Sequence, residues 1–160
     1  MTETIATQIK QNRPFASPEQ EALLGLRMAA ARLVAPWAQF LKTTADLSTS
    51  QYNVLRILRG SKPGGLTCGE IGERTIARDP DVTRLVDRLA RRGLVKRTRS
   101  ETDRRVVEVE ITQKGRDLLR ELDPHVRRMP RAMLGHMSKA RLQQLSQLLA
   151  EVLDGMGTFP

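Results

Sequence analysis

Residues 79–112 read DPDVTRLVDRLARRGLVKRTRSETDRRVVEVEIT. Asp79 and Pro80 predict the start of a helix, as its N-cap and its first residue, and Gly93 predicts its end. Apolar residues within it recur at the i, i+3, i+4 and i+7 spacing of an amphipathic helix: Val82, Leu85, Val86 and Leu89. The predicted helix, 79–92, therefore has one buried face and one face rich in arginine.

A β-hairpin, or wing, is predicted directly after this helix. Its first strand is Leu94–Arg97, and the alternation of apolar and acidic residues over Val107–Ile111 predicts a half-buried second strand. The tip between the strands, 99–104, is polar and charged. The helix and the wing thus place basic side chains next to one another.

The region before the arginine-rich helix predicts a bracing helix. Thr67 and Glu70 have the spacing of a capping box, which opens a short helix to about Thr75. A longer helix, 49–60, has Ser48 as its cap, and a loop rich in glycine and proline follows it. A short helix followed by an arginine-faced helix is typical of a helix-turn-helix, whose second helix enters the major groove of DNA.

The sequences near the two termini predict helices with extensive apolar faces. Residues 1–17 are predicted as a flexible arm, and Ser17 with Pro18 predicts the start of a long helix. Its apolar residues cover more than one face, so we expect burial on two sides, with a kink or weak point at Pro36. Behind a predicted cap at Ser138, apolar residues recur every three or four positions: Leu142, Leu145, Leu149, Val152 and Met156.

These elements predict a mainly α fold with a small β-hairpin wing, which is a winged helix-turn-helix with a helical dimerisation region. The predicted parts are an arm, a dimerisation helix, a DNA-binding domain and C-terminal dimerisation helices: 1–17, 18–46, 47–112 and 113–160. Pro124 and Pro130 leave two alternatives for the last part, one long kinked helix or two pieces. The C-terminal apolar stripe has no obvious partner in the DNA-binding domain, so we expect a homodimer.

Charge and composition favour duplex DNA as the partner. The formal net charge is +9, and nine basic against three acidic residues between Arg84 and Arg105 supply six of those charges. A basic surface attracts polyanions. Aromatic residues make up only 3% of the chain, which argues against single-stranded nucleic acid, because its bases stack on aromatic side chains.

The predicted DNA contacts lie on the helix-turn-helix and the wing. Arginine suits guanine or phosphate, and threonine suits phosphate or a thymine methyl group. An arginine on a projecting hairpin suits the minor groove. Asp81 either accepts from a cytosine amine or favours the helix dipole. The candidate residues are Ser50, Thr67, Asp81, Thr83, Arg84, Asp87, Arg88, Arg99, Asp103, Arg104 and Arg105.

On these residues the sequence resembles the MarR family of transcription regulators. The resemblance is carried by residues 47–52 and 66–67, by 82–89 with the Gly93-Leu94-Val95 that follows, and most of all by Asp103-Arg104-Arg105. Ile111-Thr112 and Gly115 then follow at the family's spacing. The likeness extends from about residue 20 to the end.

The resemblance implies a homodimer, joined by its terminal helices, that binds a pseudo-palindromic operator and usually represses nearby genes. It implies that Arg105 enters the minor groove and that Asp103 pairs with a nearby arginine to shape the wing. Many members release DNA when a small, often phenolic, anion binds between the dimer helices and the DNA-binding domain. Others respond to cysteine oxidation.

An effector site is predicted where the first long helix meets the next helix. Trp37, Phe40 and Tyr52 offer aromatic walls for a flat phenolic anion, although ordinary packing also explains all three. Cys68, the single cysteine, is either a redox sensor at the start of a capped helix or a small buried residue.

The sequence disfavours metal binding, enzyme activity and membrane association. His125 and His136 have no carboxylate or thiol at ligand spacing, so we expect no metal. No catalytic grouping or phosphate-binding glycine loop predicts an enzyme or a cofactor. The polar N-terminus and the lack of a long apolar run predict a cytoplasmic protein without a membrane partner. The alternatives to a specific regulator are a sequence-indifferent architectural DNA binder and a module for membrane surfaces or acidic partners.

Overall fold

A computed structural model of the chain describes residues 3–76, 81–99 and 106–156. It divides into two compact units, Met1–Leu118 and Leu119–Pro160. The described residues are mostly helical and include one two-stranded antiparallel hairpin, which confirms the predicted fold class. Within these residues, no helix combines the length and the apolar character that crossing a membrane requires.

Capped helices build most of the first unit, and each cap is a short polar side chain that accepts a backbone N–H. Ser17 accepts from Gln20 N at 3.3 Å, and Ser48 and Gln51 form a reciprocal capping box. The predicted capping box of Thr67 and Glu70 is confirmed. The helices of this unit are α1 (Ile5–Gln8), α2 (Pro18–Ala45), α3 (Thr49–Gly60), α4 (Cys68–Glu73) and α5 (Val82–Arg91).

The hairpin consists of β1 (Val95–Arg99) and β2 (Val107–Ile111), paired antiparallel from Val95 opposite Ile111 to Arg99 opposite Val107. The first strand thus begins one residue later than predicted and continues two residues further, to Arg99. Leu66 adds a bridge to Val109, with reciprocal backbone bonds of 3.1 and 2.8 Å. This bridge ties the chain just before α4 to the base of the wing.

The core of the first unit lies where α3, α4, α5 and the hairpin meet. The four predicted apolar residues of α5 and the predicted stripe of α3 are all buried. In β2, Val109 and Ile111 are buried, whereas Val107 is 40% exposed. Gly115 lets the next helix approach this core, because a Cβ there would lie 2.3 Å from the carbonyl oxygen of Leu94. Because the apolar face of α5 packs against this core, the opposite face of α5 is exposed to solvent.

The second unit contains most of α6 (Gln113–Leu134) and all of α7 (Lys139–Gly155). Of the two alternatives for this region, the single long helix is correct, because α6 continues through Pro124 and Pro130. Ser138 caps α7 as predicted, accepting from Arg141 N at 3.4 Å. The described residues of α7 include no buried one.

Two further predictions about the helices need correction, and a third is not tested by a single subunit. The predicted flexible arm contains α1, because Thr4 caps it and Gln8 accepts a hydrogen bond from Arg32 of α2 at 2.6 Å. In a single subunit Leu23 and Val34 of α2 are more than half exposed, so the predicted burial of α2 on two sides, which includes a partner subunit, stays a prediction. The short bracing helix ends at Glu73, two residues before the predicted Thr75.

Candidate nucleic-acid interface

The exposed face of α5 carries the candidate recognition residues. Thr83, Arg84 and Arg88 are exposed and Asp87 is half-buried, while the buried apolar side of the same helix packs on α3 and α4. This confirms the predicted division of α5 into an apolar and an arginine-rich face. The major groove of DNA admits one α-helix, so an exposed helix face of this kind can contact base edges.

The start of α5 differs from the prediction. Asp81 is the N-cap, and its carboxylate accepts a hydrogen bond from Arg84 N at 3.2 Å, so Val82 is the first helical residue. The prediction that Asp79 caps the helix is wrong for this reason, and Asp79 and Pro80 themselves lie outside the described residues. As the N-cap, Asp81 lies at the positive end of the helix dipole, and its contact with a cytosine amine stays a prediction.

Asp81 also orients the first arginine of the recognition face. Its second carboxylate oxygen lies 3.1 Å from Nε of Arg84. The Arg84 side chain is nevertheless 77% exposed near the start of α5. An arginine held at Nε by a carboxylate has fewer conformations to lose when its terminal nitrogens bind a base edge or a phosphate.

A second ion pair joins the recognition helix to the wing. Arg97 of β1 lies 3.0 Å from the carboxylate of Asp87, and both side chains are partly exposed. Sequence reasoning placed Asp87 among the DNA contacts and did not single out Arg97. The two residues are ten positions apart and lie on different elements, so neither helix nor strand periodicity relates them. Only the folded structure shows that they form a pair.

The wing is described at its base but not at its tip. Arg99 is exposed and paired with Val107 within the hairpin, so it belongs to the strand rather than to the predicted tip. Lys96 and Glu110 form a cross-strand ion pair of 2.9 Å. Asp103, Arg104 and Arg105 lie outside the described residues, and their roles in the minor groove stay predictions.

The bracing helix α4 begins at a fully bonded capping box. Thr67 donates to the Glu70 carboxylate from its backbone N at 2.8 Å and from its hydroxyl at 2.9 Å, and its hydroxyl oxygen accepts from Glu70 N at 3.2 Å. The bond from the Thr67 backbone, followed by the bond from its hydroxyl, lowers the pKa of Glu70 below its ordinary value of 4.5. Ser50, another predicted contact, is half-buried in the first turn of α3.

The capping box predicts a pH dependence of stability. A carboxylate with a lowered folded-state pKa contributes stability that is present above its unfolded pKa and is lost as the pH falls through the folded value. Glutamine at this position can also close a capping box but does not titrate. We therefore expect Glu70→Gln to lose less thermal stability than the unmodified protein as the pH falls below about 4.5.

This prediction is checked by circular dichroism melting between about pH 6 and pH 3. Glu73→Gln is the matched control, because Glu73 is an exposed acid at the other end of α4. Parallel curves for the unmodified protein and Glu70→Gln would contradict the prediction.

The predicted effector residues form one aromatic cluster. Trp37 stacks on Phe40 with ring centroids 5.6 Å apart and meets Tyr52 edge-on at 4.9 Å. Trp37 and Phe40 are half-buried, whereas Tyr52 is only 5% exposed. The structure thus brings the three residues together at the contact of α2 with α3, and their binding of a ligand stays a prediction.

The first unit also contains a basic groove. It has a volume of about 620 Å³ and is bounded by the end of α2, the start of α3 and the end of α5. Its cationic side chains are Lys42, Arg88, Arg91 and Arg92. The sequence did not predict this groove, because one of its walls, the end of α5, lies far along the chain from the junction of α2 and α3 that forms the rest.

The remaining candidate features are the single cysteine and a possible metal site. Cys68 is half-buried at the first position of α4, and both interpretations of it stay open. The part of the chain that the structure describes contains no cluster of three side chains able to hold a metal ion.

Apolar side chains remain exposed on α7. Leu142 and Leu145 are half-buried, but Leu149, Val152 and Met156 are 37, 41 and 68% exposed. Leu148 and Leu153, which the predicted stripe did not include, are 52 and 72% exposed. Exposed apolar side chains grouped on one helix are typical of an interaction surface, and dimerisation through them stays a prediction.

Comparison with known proteins bears on the family and the fold of the chain. A family model described as the MarR family matches residues 45–106. The transcriptional repressor MprA of Escherichia coli (strain K12) is 32% identical over 93 residues, and this match covers 58% of the chain and 50% of MprA. The chain thus spans about half the length of that curated relative.

Solved structures extend the match over most of the chain. A MarR transcription factor from Planctomyces limnophilus is 41% identical, with a TM-score of 0.64, over 86% of this chain and 98% of that one. The chain belongs to the MarR family. BpsR of Bordetella bronchiseptica is 28% identical with a TM-score of 0.76, over 90% of this chain and all of the BpsR chain (100%), and 6-hydroxynicotinic acid regulates DNA binding by BpsR.

Within this MarR-family chain, the family model matches the part that holds α3, α4, α5 and the start of the wing. The exposed arginines of α5 lie in that part. The apolar face of α7 lies outside it, so the interpretation of that face depends on its own exposure.

Proposed function

We propose that this chain is a sequence-specific DNA-binding transcription regulator that acts as a homodimer and represses its target genes. The observation that carries the proposal is the α5 helix, whose buried apolar side packs on α3 and α4 and whose opposite side exposes Thr83, Arg84 and Arg88. A helix braced in this way by a second helix can place its first turns against base edges.

The surrounding elements have complementary roles in this proposal. Phosphate contacts come from the start of α4 and from the wing, since backbone N–H groups and basic side chains both bind phosphate. Arg105 enters the minor groove and Asp103 shapes the wing, as the family resemblance implies. The proposed DNA-binding residues remain Ser50, Thr67, Asp81, Thr83, Arg84, Asp87, Arg88, Arg99, Asp103, Arg104 and Arg105.

Dimerisation is proposed through apolar faces that a single subunit leaves exposed. On α7 and its C-cap this face comprises the half-buried Leu142 and Leu145 and the exposed Leu149, Val152 and Met156. On α2 it includes Leu23 and Val34. A two-fold dimer presents two α5 helices, and an operator with two matching half-sites about 34–36 Å apart would accept both. A cytoplasmic location remains part of the proposal.

The test is selection of bound sequences from a library of random duplex DNA. A specific regulator enriches a pseudo-palindromic site and binds it at least about 1,000-fold more tightly than random duplex at the same salt concentration. An architectural binder enriches no site, because it reads only the phosphates. Absence of enrichment would overturn the proposed function in favour of that alternative.

We further propose that a small aromatic carboxylate releases the DNA. BpsR, a relative of this chain, has its DNA binding regulated by 6-hydroxynicotinic acid, which is an aromatic acid of this kind. The stacked rings of Trp37 and Phe40, which are half-buried, offer an apolar surface to the ligand, and Lys42 and the arginines of the basic groove are candidate partners for its carboxylate. A ligand shifts DNA affinity only if it prefers one dimer geometry over another.

We expect salicylate and 6-hydroxynicotinic acid at millimolar concentration to weaken operator binding and to quench the emission of Trp37, the single tryptophan. DNA anisotropy and tryptophan fluorescence are followed in one titration. Salicylamide serves as the control ligand, because it keeps the phenol ring but lacks the carboxylate. No change in either signal with both acids would remove the aromatic-acid proposal.

A further inference from the structure

Arg92, the residue that follows α5, is bonded to the end of a different helix. Its guanidinium donates from Nη1 to the carbonyl oxygen of Asp46 at 2.6 Å and from Nη2 to that of Ala45 at 2.8 Å. The last carbonyl groups of a helix have no partner within that helix. Arg92 therefore caps the C-terminus of α2 with the fixed fork of one guanidinium, which also suits the negative end of the helix dipole.

The end of α2 is itself well fixed. Asp46 has a left-handed conformation, with φ of 48°, and its N–H bonds to the carbonyl oxygen of Lys42 at 3.1 Å. The Lys42 side chain pairs with the Asp46 carboxylate, and the next N–H, of Leu47, bonds to Leu41 O at 3.2 Å. These bonds hold the carbonyl groups of Ala45 and Asp46, to which Arg92 donates, in a fixed orientation.

The backbone of Arg92 is held from the other side. Its carbonyl oxygen accepts from Lys114 Nζ at 2.9 Å, and the carbonyl of Gly93 accepts from the Thr112 hydroxyl at 2.7 Å. Gly93 has a φ of +69°, and Leu94 N bonds back to Leu89 O at 3.0 Å, which closes the end of α5. We call Ala45, Asp46, Arg92 and Lys114 the Arg92 junction.

We infer that Arg92 is a positioning residue for DNA recognition, which fixes the recognition helix α5 relative to α2. The inference rests on the proposed function, in which α2 takes part in the dimer and α5 reads the operator. Two recognition helices can enter successive major grooves only at one separation, and the angle between α5 and α2 sets that separation in each subunit. Random duplex is bound mainly through its phosphates, so the affinity for it depends less on the distance between the two recognition helices.

The test uses Arg92→Lys, which keeps the charge but replaces the two-pronged guanidinium with a single ammonium group. The selected operator and a random duplex are titrated by anisotropy over a range of salt concentrations. We expect the ratio of operator to random affinity to fall about tenfold for Arg92→Lys and at least as far for Arg92→Ala. Arg116→Lys, at an exposed arginine near the start of α6, is the control and keeps the parental ratio.

The alternative role, a phosphate contact by Arg92, gives a different pattern. Lysine would then restore binding, and Arg92→Ala would reduce the slope of log affinity against log salt by about one. A parental affinity ratio in Arg92→Lys overturns the inference. If Arg92→Lys fails to fold, Lys114→Met tests the same junction, and a parental ratio in that variant overturns it too. A failure of the proposed function looks different, because the unmodified protein itself then fails to distinguish operator from random duplex.

Discussion

Leu149→Asp is expected to convert the homodimer into a folded monomer and to abolish tight operator binding. In one subunit Leu149 is 37% exposed on a face of α7 that continues through Val152, Leu153 and Met156. In the proposed dimer this face is covered, so the new carboxylate would be buried without a partner, which costs several kcal/mol. We expect the dimer to dissociate at least about 100-fold more readily.

Sedimentation velocity across micromolar concentrations measures the change. Gln147→Asp is the matched control, because it adds the same charge two residues away, about 200° around the helix. Gln147 is exposed and lies off the apolar face. An unmodified protein that sediments as a folded monomer, or a Leu149→Asp protein that dimerises like Gln147→Asp, would contradict the proposed interface.

Local sequence signals predicted most of the helix-turn-helix. Ser17, Ser48, Thr67 and Ser138 each cap the helix that they were predicted to cap, because a cap depends only on a side chain and the N–H two or three residues ahead. Buried stripes were likewise predictable from their period, as in α5.

The start of α5 shows where local reasoning fails. The sequence has Asp79 followed by Pro80, which is a standard start signal, and Asp81 only two residues later. Both aspartates satisfy the same rule, so composition cannot choose between them. The choice made in the structure is Asp81, which also pairs with the Arg84 side chain.

Contacts between distant elements were the other part that the sequence could not supply. The pair of Asp87 with Arg97 and the bonds from Arg92 to α2 join residues without a periodic relation. In a segment with nine basic residues, every arginine is a candidate for DNA by composition alone. Only the folded arrangement separates arginines that hold the protein together from those that remain available to DNA.

Arg84 belongs to the arginines that remain available to DNA, so its substitution is the most direct test of base recognition. Its Nε is held by Asp81 while the side chain is 77% exposed in the first turn of α5, the part of a recognition helix that contacts base edges. We expect Arg84→Ala to weaken operator binding by about 1–3 kcal/mol, and to relax base preference at one position in each half-site. An arginine that bound only phosphate would give a uniform loss across sequences.

Affinities for the selected operator and for its single-base variants distinguish the two outcomes at fixed salt. Arg84→Lys is the matched variant, since it keeps the charge but cannot bond to a guanine edge with a planar fork. If Arg84 reads a base, lysine restores binding to random duplex but not the base preference. If Arg84→Lys keeps the parental preference at every position, Arg84 does not read a base, and the sequence discrimination proposed for α5 must come from Thr83 or Arg88.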